Sequence, residues 1–157
     1  MLPFDAFSRK AFYKDGRFRE STFIVEALTR SRCYRQGTIL CATCHSPHLP
    51  DFDNNQRSLK YRENPDEMCL PCHSTYRGRA AEHSRHKVNS EASECITCHM
   101  PRIVNALLFK TRSHQIEIPS ADLTERFGQQ ESPNVCLTCH SEKGIGWAKE
   151  QLARWPH

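Results

Sequence analysis

Four short segments of this 157-residue sequence share the form Cys-x-x-Cys-His. In chain order they are motifs one to four, with the cysteine pairs Cys41/Cys44, Cys69/Cys72, Cys95/Cys98 and Cys136/Cys139, followed by His45, His73, His99 and His140. This pattern is the attachment signature of c-type haem. The two thiols add across the porphyrin vinyl groups, and the next imidazole binds the iron as its proximal ligand. The sequence therefore predicts four covalently bound haem c groups.

Three other uses of cysteine fit this pattern less well. Disulfides would explain the number of thiols but not the histidine after every pair. Two cysteine pairs can build a four-cysteine zinc site, but zinc has no use for a histidine directly after each pair. A thioredoxin-like redox pair would occur once, near a βαβ pattern, and not four times.

Five further histidines are available as distal iron ligands, one more than bis-histidine ligation of four haems needs. The candidates are His48, His83, His86 and His114, with His157 in reserve. His157 is the last residue, where termini fray, and a neighbouring subunit's haem is as suitable a target as its own. Methionine is the rival ligand. Met68 and Met100 adjoin their motifs too closely to reach the far face of their own iron, so we expect them to pack against porphyrin.

Cys33 is the ninth cysteine and belongs to no motif. We expect a buried free thiol, because free cysteine is often buried, with intermolecular bonding as the alternative. Basic residues at 30, 32 and 35 would lower a thiol pKa. We expect them instead to neutralise haem propionates.

The composition supplies little material for a conventional core. Hydrophobic residues make up 38% of the chain and charged residues 25%. Four porphyrins would provide much of the missing apolar interior, and the apo-chain should be largely unfolded. No apolar run approaches 18 residues, so no membrane span is expected. The +4 charge is spread along the chain without an aromatic-interleaved basic stripe, which argues against nucleic-acid binding.

The elements that must position these motifs are predicted to be short helices and long loops, with little or no β-structure. We expect one tetrahaem domain over 1–157, with haem pairs at 41–73 and 95–140 and a single helix in the segment 1–40. Helical spacing places that helix over 20–32. Asn64-Pro65 and Ser132-Pro133 have the N-cap and first-turn pattern of helices carrying motifs two and four.

Four other segments have less regular patterns. Residues 120–127 are predicted to be a helix that Ser120 caps and Gly128 ends. Residues 147–155 read as a terminal helix, and 103–109 are ambiguous between strand and helix. A helix over 77–87 would place His83 and His86 on one face.

The sequence resembles the doubled-CxxCH multihaem cytochromes c, related to the tetrahaem electron acceptors of hydroxylamine oxidation and to cytochromes fused to tetratricopeptide repeats. The resemblance runs from about Lys14 to Trp155. Besides the motifs, the matching pieces are Asp15-Gly16-Arg17, Cys33 with Gly37, Pro47-His48, His83-x-x-His86, Met100-Pro101, Ser113-His114 with Pro119, Pro133-Asn134 and Trp147-Ala148.

That resemblance implies bis-histidine haems in closely stacked and perpendicular pairs. It also implies that His48 serves a different haem from His45, and that motif three, with Arg102 in the equivalent place, takes its distal ligand from elsewhere. Members work in an exported compartment, periplasmic or extracellular. The first residues lack the basic and apolar regions of a signal peptide, so we expect a processed chain or part of a longer one.

The function expected from these observations is electron transfer, as a shuttle, a subunit of a redox complex or a filament subunit. Its partners would be redox donor and acceptor proteins and neighbouring cytochrome subunits. We expect an electron carrier and not an enzyme. The alternative is a multihaem enzyme with one open iron, acting on a small nitrogen compound or peroxide, with His83 or Arg102 beside it.

Overall fold

The computed structural model describes residues 4–37, 39–48 and 58–155. The chain divides into two compact units. The flanking unit comprises Met1–Ser31 and Thr97–His157, and the inserted unit comprises Arg32–Ile96. Motifs one and two lie in the inserted unit and motif four in the flanking unit, while the boundary falls inside motif three. The single tetrahaem domain and its haem pairs stay predictions.

The flanking unit contains helices and one small sheet. In chain order it has α1 (Phe4–Ala11), a 3-10 helix (Ser21–Phe23), α2 (Ile24–Arg30), β1 (Val104–Asn105), β2 (Lys110–Thr111), α7 (Asp122–Phe127), α8 (Val135–Cys139) and α9 (Ile145–Ala153). The helix expected over 20–32 is therefore confirmed as a 3-10 turn that continues into α2.

The inserted unit is made of shorter elements. It has α3 (Arg32–Gln36), α4 (Cys41–Cys44), 3-10 helices at Pro65–Met68, Ser74–Tyr76 and Glu91–Ser93, and α5 (Ala80–Ser84), and α6 (Cys95–His99) lies at the boundary. The predicted fold class, mainly α with extensive loop, is confirmed, since the only sheet in the described residues has two strands. The single helix expected in 1–40 is wrong, because α1, α2 and α3 all lie there.

The core of the flanking unit is centred on Tyr13, Ile103 and Val104, which are all nearly inaccessible to solvent. The Tyr13 hydroxyl donates a hydrogen bond to the carbonyl oxygen of Ile103. The Arg19 guanidinium lies 4.7 Å from the centre of the Tyr13 ring, a cation–π distance. These contacts join the N-terminal part of the unit to the segment that follows motif three.

The ambiguous segment 103–109 forms a hairpin and not a helix. Val104 pairs with Thr111 and Asn105 with Lys110 in antiparallel register. Leu107 at the tip is 96% exposed. The apolar run is divided between one buried strand position and a solvent-facing turn, which is why its periodicity was uninformative.

Two predicted helix caps are displaced along the chain. Helix α8 is capped by Asn134, whose side-chain oxygen accepts a 2.9 Å hydrogen bond from the Cys136 N–H. The predicted cap, Ser132, instead donates to Asp15 at 2.7 Å. Helix α7 begins two residues after Ser120, and Gly128 ends it with φ 81°, as expected for a glycine stop.

The prediction that a helix carries motif two is wrong. The helix started by Pro65 is a 3-10 helix that ends at Met68, before the motif, and the Asn64 side chain makes no capping bond. Cys69 and Cys72 lie instead in a hydrogen-bonded turn, where the Cys72 N–H donates to the Cys69 carbonyl at 3.2 Å. The N–H groups of Cys69 and Leu70 both donate to the Asp66 carbonyl, at 2.8 and 3.0 Å, so the chain keeps turn-type bonding here and does not enter an α-helical ladder.

The His83 region also differs from expectation. Helix α5 ends at Ser84, because Arg85 adopts the left-handed conformation with φ 58°. His83 and His86 therefore do not share one helix face.

The terminal helix α9 is confirmed, although it begins and ends two residues earlier than the predicted 147–155. Across the part of the chain that the structure describes, no helix is both long and apolar enough to cross a bilayer.

Candidate haem sites

Each Cys-x-x-Cys-His motif adopts one helical turn. The histidine N–H bonds to the carbonyl of the first cysteine at 2.9 Å in motif one, 3.0 Å in motif two and 2.9 Å in motif four. Motif three is helical throughout, as α6 (Cys95–His99). The four motifs thus share one hydrogen-bonded turn, although the turn of motif two lies outside any named helix.

This conformation fits c-type haem. Residues i, i+3 and i+4 of a helical turn lie on one face, so the two thiols and the imidazole of each motif point to the same side. The donor set is also suitable, since thiols form the thioethers and imidazole is the usual protein ligand of iron in cytochromes c. When bound, the group supplies a reversible one-electron couple, and the chain supplies attachment, orientation and burial.

The predicted thioether cysteines differ in their exposure to solvent. Cys41, Cys72 and Cys139 are exposed, and the other five motif cysteines are half-buried. Each of motifs one, two and four therefore pairs one exposed thiol with one half-buried thiol, whereas both thiols of motif three are half-buried. Cys72 is the exposed thiol that lies outside any named helix, and haem attachment at all eight motif cysteines stays a prediction.

Three histidine rings are oriented by backbone carbonyls. The Nδ1 atoms lie 2.8 Å from Glu117 O for His99, 2.6 Å from Ser84 O for His86 and 3.3 Å from Arg112 O for His114. A carbonyl oxygen can only accept, so each Nδ1 carries the proton and donates it. In the neutral ring, Nε2 then presents its lone pair, which is the form that binds iron. One predicted proximal and two predicted distal ligands have this support.

The other predicted ligands have different surroundings. The His83 ring packs at a tilt against Tyr76, with 4.6 Å between ring centres, and the His140 ring packs at a tilt against Trp147, with 4.9 Å between ring centres. His48 is exposed, and His157 lies outside the described residues. No pairing of distal with proximal histidines is defined by these contacts, so the distal set stays a prediction.

The predicted distal ligands are unevenly distributed between the two units. The inserted unit holds His48, His83 and His86 beside two proximal histidines. In the described residues of the flanking unit, His114 is the only histidine outside motifs three and four. Arg102, which stands in motif three where motif one has His48, is exposed.

His114 lies in the wall of a small apolar cavity in the flanking unit. Phe18, Phe23 and Val104 line it, and the polar part of the wall comes from Arg112 and Glu20. The rings of Phe18 and Phe23 stack at 5.0 Å. An imidazole beside aromatic and aliphatic side chains is an environment that suits the edge of an apolar macrocycle.

Burial keeps several motif thiols protonated. It raises the pKa of Cys44 and Cys136, and it raises the pKa of Cys98 to about 11. A hydrogen bond between the Cys69 and Cys95 thiols lowers the pKa of Cys69 and raises that of Cys95. The first cysteines of motifs two and three therefore lie within hydrogen-bonding reach of each other.

Cys33 is a free thiol that is half-buried in α3, not fully buried as expected. Of the basic residues near it in sequence, Arg30 is used elsewhere. Its guanidinium lies 4.1 Å from the centre of the Phe18 ring and donates to the carbonyl of Gly16 at 2.9 Å.

The sequence did not identify a set of residues that support the motifs in the flanking unit. Asn134, the cap of α8, is almost fully buried and makes three further hydrogen bonds. Its side chain donates to the Ser120 carbonyl at 2.8 Å. Its N–H donates to Gln129 Oε1 at 2.8 Å, and Gln129 Nε2 donates to the Asn134 carbonyl at 3.1 Å. Asp15, Arg17 and Glu117 form a second group. The spacing Asn-x-Cys was the signal for the cap. Nothing local signals the second group, because Glu117 lies 100 residues after Arg17.

Comparison with protein families gives a match for residues 34–78, which fit the model described as the doubled CXXCH motif. This segment contains motifs one and two and is less than a third of the chain. It supports a multihaem cytochrome c-like family for this protein. The motifs indicate covalently bound c-type haem, and hence iron binding consistent with electron transport. Searches of curated proteins and of solved structures gave no significant match.

Proposed function

We propose that the chain is a tetrahaem cytochrome c that transfers electrons through four closely packed, bis-histidine haems. The observation that carries this proposal is the common helical turn of all four motifs, which gives motifs three and four the same attachment geometry as the two motifs inside the family match. The carbonyl-oriented rings of His86, His99 and His114 support imidazole on both faces of the iron.

The residues have separate roles in this proposal. The eight motif cysteines fix the porphyrins, the four motif histidines are the proximal ligands, and the distal ligands come from His48, His83, His86 and His114, with His157 in reserve. Electrons move between haems without a substrate pocket, so the chain needs only to hold them close and limit solvent around them. Since haem c is attached outside the cytoplasm, the proposed compartment is periplasmic or extracellular, with redox proteins or further cytochrome subunits as partners.

The decisive experiment counts haems by motif. Intact mass and pyridine haemochrome absorbance of the parent should both give four haems. Four double variants test the motifs singly: Cys41→Ala/Cys44→Ala, Cys69→Ala/Cys72→Ala, Cys95→Ala/Cys98→Ala and Cys136→Ala/Cys139→Ala. Each should lose one haem, whereas Cys33→Ala should retain four. A parent with fewer than four haems would overturn the proposal.

One observation favours a second function. The described residues of the flanking unit contain two motif histidines, His99 and His140, but only one further histidine, His114, that could bind iron on the opposite face. An iron left without a distal side chain would make the protein an enzyme for a small nitrogen compound or a peroxide. Optical spectra distinguish the two functions. Electron transfer through bis-histidine haems requires fully low-spin spectra and no shift when CO is added to the reduced protein. A high-spin ferric fraction with CO binding would instead support the enzyme.

A further inference from the structure

Arg17 is the centre of a half-buried hydrogen-bonded cluster in the flanking unit. Its Nε and Nη2 donate to Asp15 Oδ2 at 2.9 and 2.7 Å, and its Nη1 donates to Glu117 Oε1 at 3.0 Å. Nη2 also donates to the carbonyl of Pro133 at 2.6 Å. Its side chain is 14% exposed and that of Asp15 is 2% exposed. One guanidinium therefore joins three separate segments of chain.

The contact with Glu117 leads to motif three. The backbone carbonyl of Glu117 accepts the hydrogen bond from His99 Nδ1 at 2.8 Å, while its side chain is held by Arg17. The Glu117 N–H donates to the His99 carbonyl at 3.2 Å. Glu117 is thus fixed at both its side chain and its backbone, and its position sets the plane of the proximal imidazole.

The contact with Pro133 leads to motif four. Pro133 directly precedes Asn134, the residue that caps α8, and α8 carries Cys136 and Cys139. The neighbouring Ser132 donates to Asp15 Oδ2 at 2.7 Å. Asp15 and Arg17 therefore hold the two residues that lead into the motif four helix.

We propose that Arg17 is a positioning residue that braces the proximal supports of haem sites three and four against one another. This inference rests on the proposed tetrahaem function. Arginine suits the task because its planar fork presents five donors in fixed directions, whereas the lysine ammonium is a compact point charge. Paired oppositely charged groups in a partly dry site also make shorter and stronger hydrogen bonds than neutral ones.

The test uses the oxidised holoprotein and electron paramagnetic resonance, because the g-values of low-spin ferric haem depend on the orientation of the axial imidazoles. The double-cysteine variants assign each signal to a motif. Arg17→Gln should shift the signals of haems three and four and leave those of haems one and two unchanged. The matched control is Arg79→Gln, which removes an arginine paired with Glu82 on the exposed surface of the inserted unit.

Two further variants are informative. The first separates the contact of Arg17 with Glu117 from its contact with Pro133, and the second separates the effect of the hydrogen bonds from the effect of the positive charge. Glu117→Gln should shift the signal of haem three alone, since the Pro133 contact remains. Arg17→Lys keeps the charge but not the fork, so both signals should move while the potentials stay close to those of the parent. Arg17→Gln removes the charge. At a fixed solution potential, the reduced-to-oxidised ratio of haem three should therefore fall about tenfold, which corresponds to a reduction potential lower by about 59 mV for one electron.

The proposal is overturned if Arg17→Gln moves all four signals or none, if Glu117→Gln moves the signals of haems three and four equally, or if Arg17→Lys restores both signals. If Arg17→Gln does not accumulate with four haems, Glu117→Gln and Arg17→Lys decide alone. The haem count of the parent is measured first, so a failure of the tetrahaem function is seen separately from a failure of the brace.

Discussion

The flanking and inserted units bury apolar side chains to different extents. Among the described residues, the flanking unit buries eight apolar side chains: Ala11, Tyr13, Phe18, Ala27, Ile103, Val104, Ala121 and Ala148. The inserted unit buries two, Leu70 and Ile96. Its ion pair between Arg79 and Glu82 is also solvent-exposed, whereas Asp15 and Arg17 are largely shielded. Under the proposed tetrahaem function, the inserted unit would therefore obtain more of its interior from porphyrin than the flanking unit.

The largest expected effect follows from removing one haem from each unit. In Cys69→Ala/Cys72→Ala, amide exchange across 58–96 should accelerate at least about a hundredfold, because little else buries that unit. In Cys136→Ala/Cys139→Ala, slow exchange at Tyr13, Ile103 and Val104 should persist. Hydrogen exchange read by mass spectrometry of the two variants, with Cys33→Ala as control, measures both. Equal loss of protection in the two units would refute the comparison.

A smaller effect is expected from two asparagines that precede motifs, Asn134 by two residues and Asn64 by five. Asn134→Ala removes a buried cap and its further side-chain hydrogen bond to Ser120, so we expect a loss of about 2 kcal/mol in the free energy of unfolding. Asn64→Ala, whose side chain makes no capping bond, should cost less than about 0.5 kcal/mol. Denaturant unfolding of the oxidised holoprotein compares them. Similar losses would show that the cap does not distinguish the units.

The two units should also respond differently to acid. Burial alone would raise the pKa of Asp15, but hydrogen bonds from Arg17 and Ser132 outweigh it and hold that pKa below 3.8. A carboxylate whose pKa is lower in the folded chain than in the unfolded chain stabilises the fold at pH values above its unfolded-state pKa. This stabilisation is lost as the pH falls through its folded-state pKa. Burial raises the pKa of Glu117 above 4.5, so its contribution is present at low pH and is lost as the pH rises through the folded value.

Asp15→Asn should therefore reduce the loss of flanking-unit stability below about pH 3.8. Unfolding measured from pH 2.5 to 5 gives the slope of the free energy of unfolding against pH. The readout is the difference in this slope between variant and parent, because haem propionates titrate in both proteins. The control is Glu82→Gln in the inserted unit, where Arg79 lowers the pKa of a fully exposed carboxylate. An unchanged acid slope in Asp15→Asn would contradict the assigned role of that carboxylate.

The smallest effect is expected for Arg79→Gln. The pair formed with Glu82, at 2.8 Å, is exposed on both sides, and such pairs contribute little because water screens them. The midpoint of thermal unfolding should not change measurably. A clear decrease would mean that exposed ion pairs do support the inserted unit.

The sequence predicted what depends on local spacing. The helix that carries motif four, the helix over 20–32 and the glycine stop at Gly128 follow from residues within one or two helical turns of each other. The cap of α8 was misplaced because Ser132 and Asn134 both suit the position, and the choice depends on Asp15, which binds Ser132 from 117 residues away. His83 and His86 were placed on one face because nothing local shows that Arg85 turns left-handed.

The support of the haem sites depends on contacts between distant segments. The Glu117 carbonyl that orients His99 has no sequence signal, since every residue carries a carbonyl. Asp15-Gly16-Arg17 was visible as part of a family resemblance, but its partners at 117 and 133 were not. Distal ligation has the same difficulty. The sequence shows where the histidines are, but not which two of them would bind the same iron.

The discontinuous flanking unit has a consequence for the order of assembly. Arg17 bonds to a carboxylate 100 residues later and to a carbonyl 116 residues later. The N-terminal part of this unit therefore cannot complete its contacts until the C-terminal part has been synthesised. The inserted unit lies wholly within 32–96 and has no such wait. Once it is compact, the loop that separates Arg17 from Glu117 is effectively shorter and costs less entropy to close. We therefore expect the middle of the chain to mature first, with closure of the flanking unit as the final step, which a chain truncated before Pro133 could not complete.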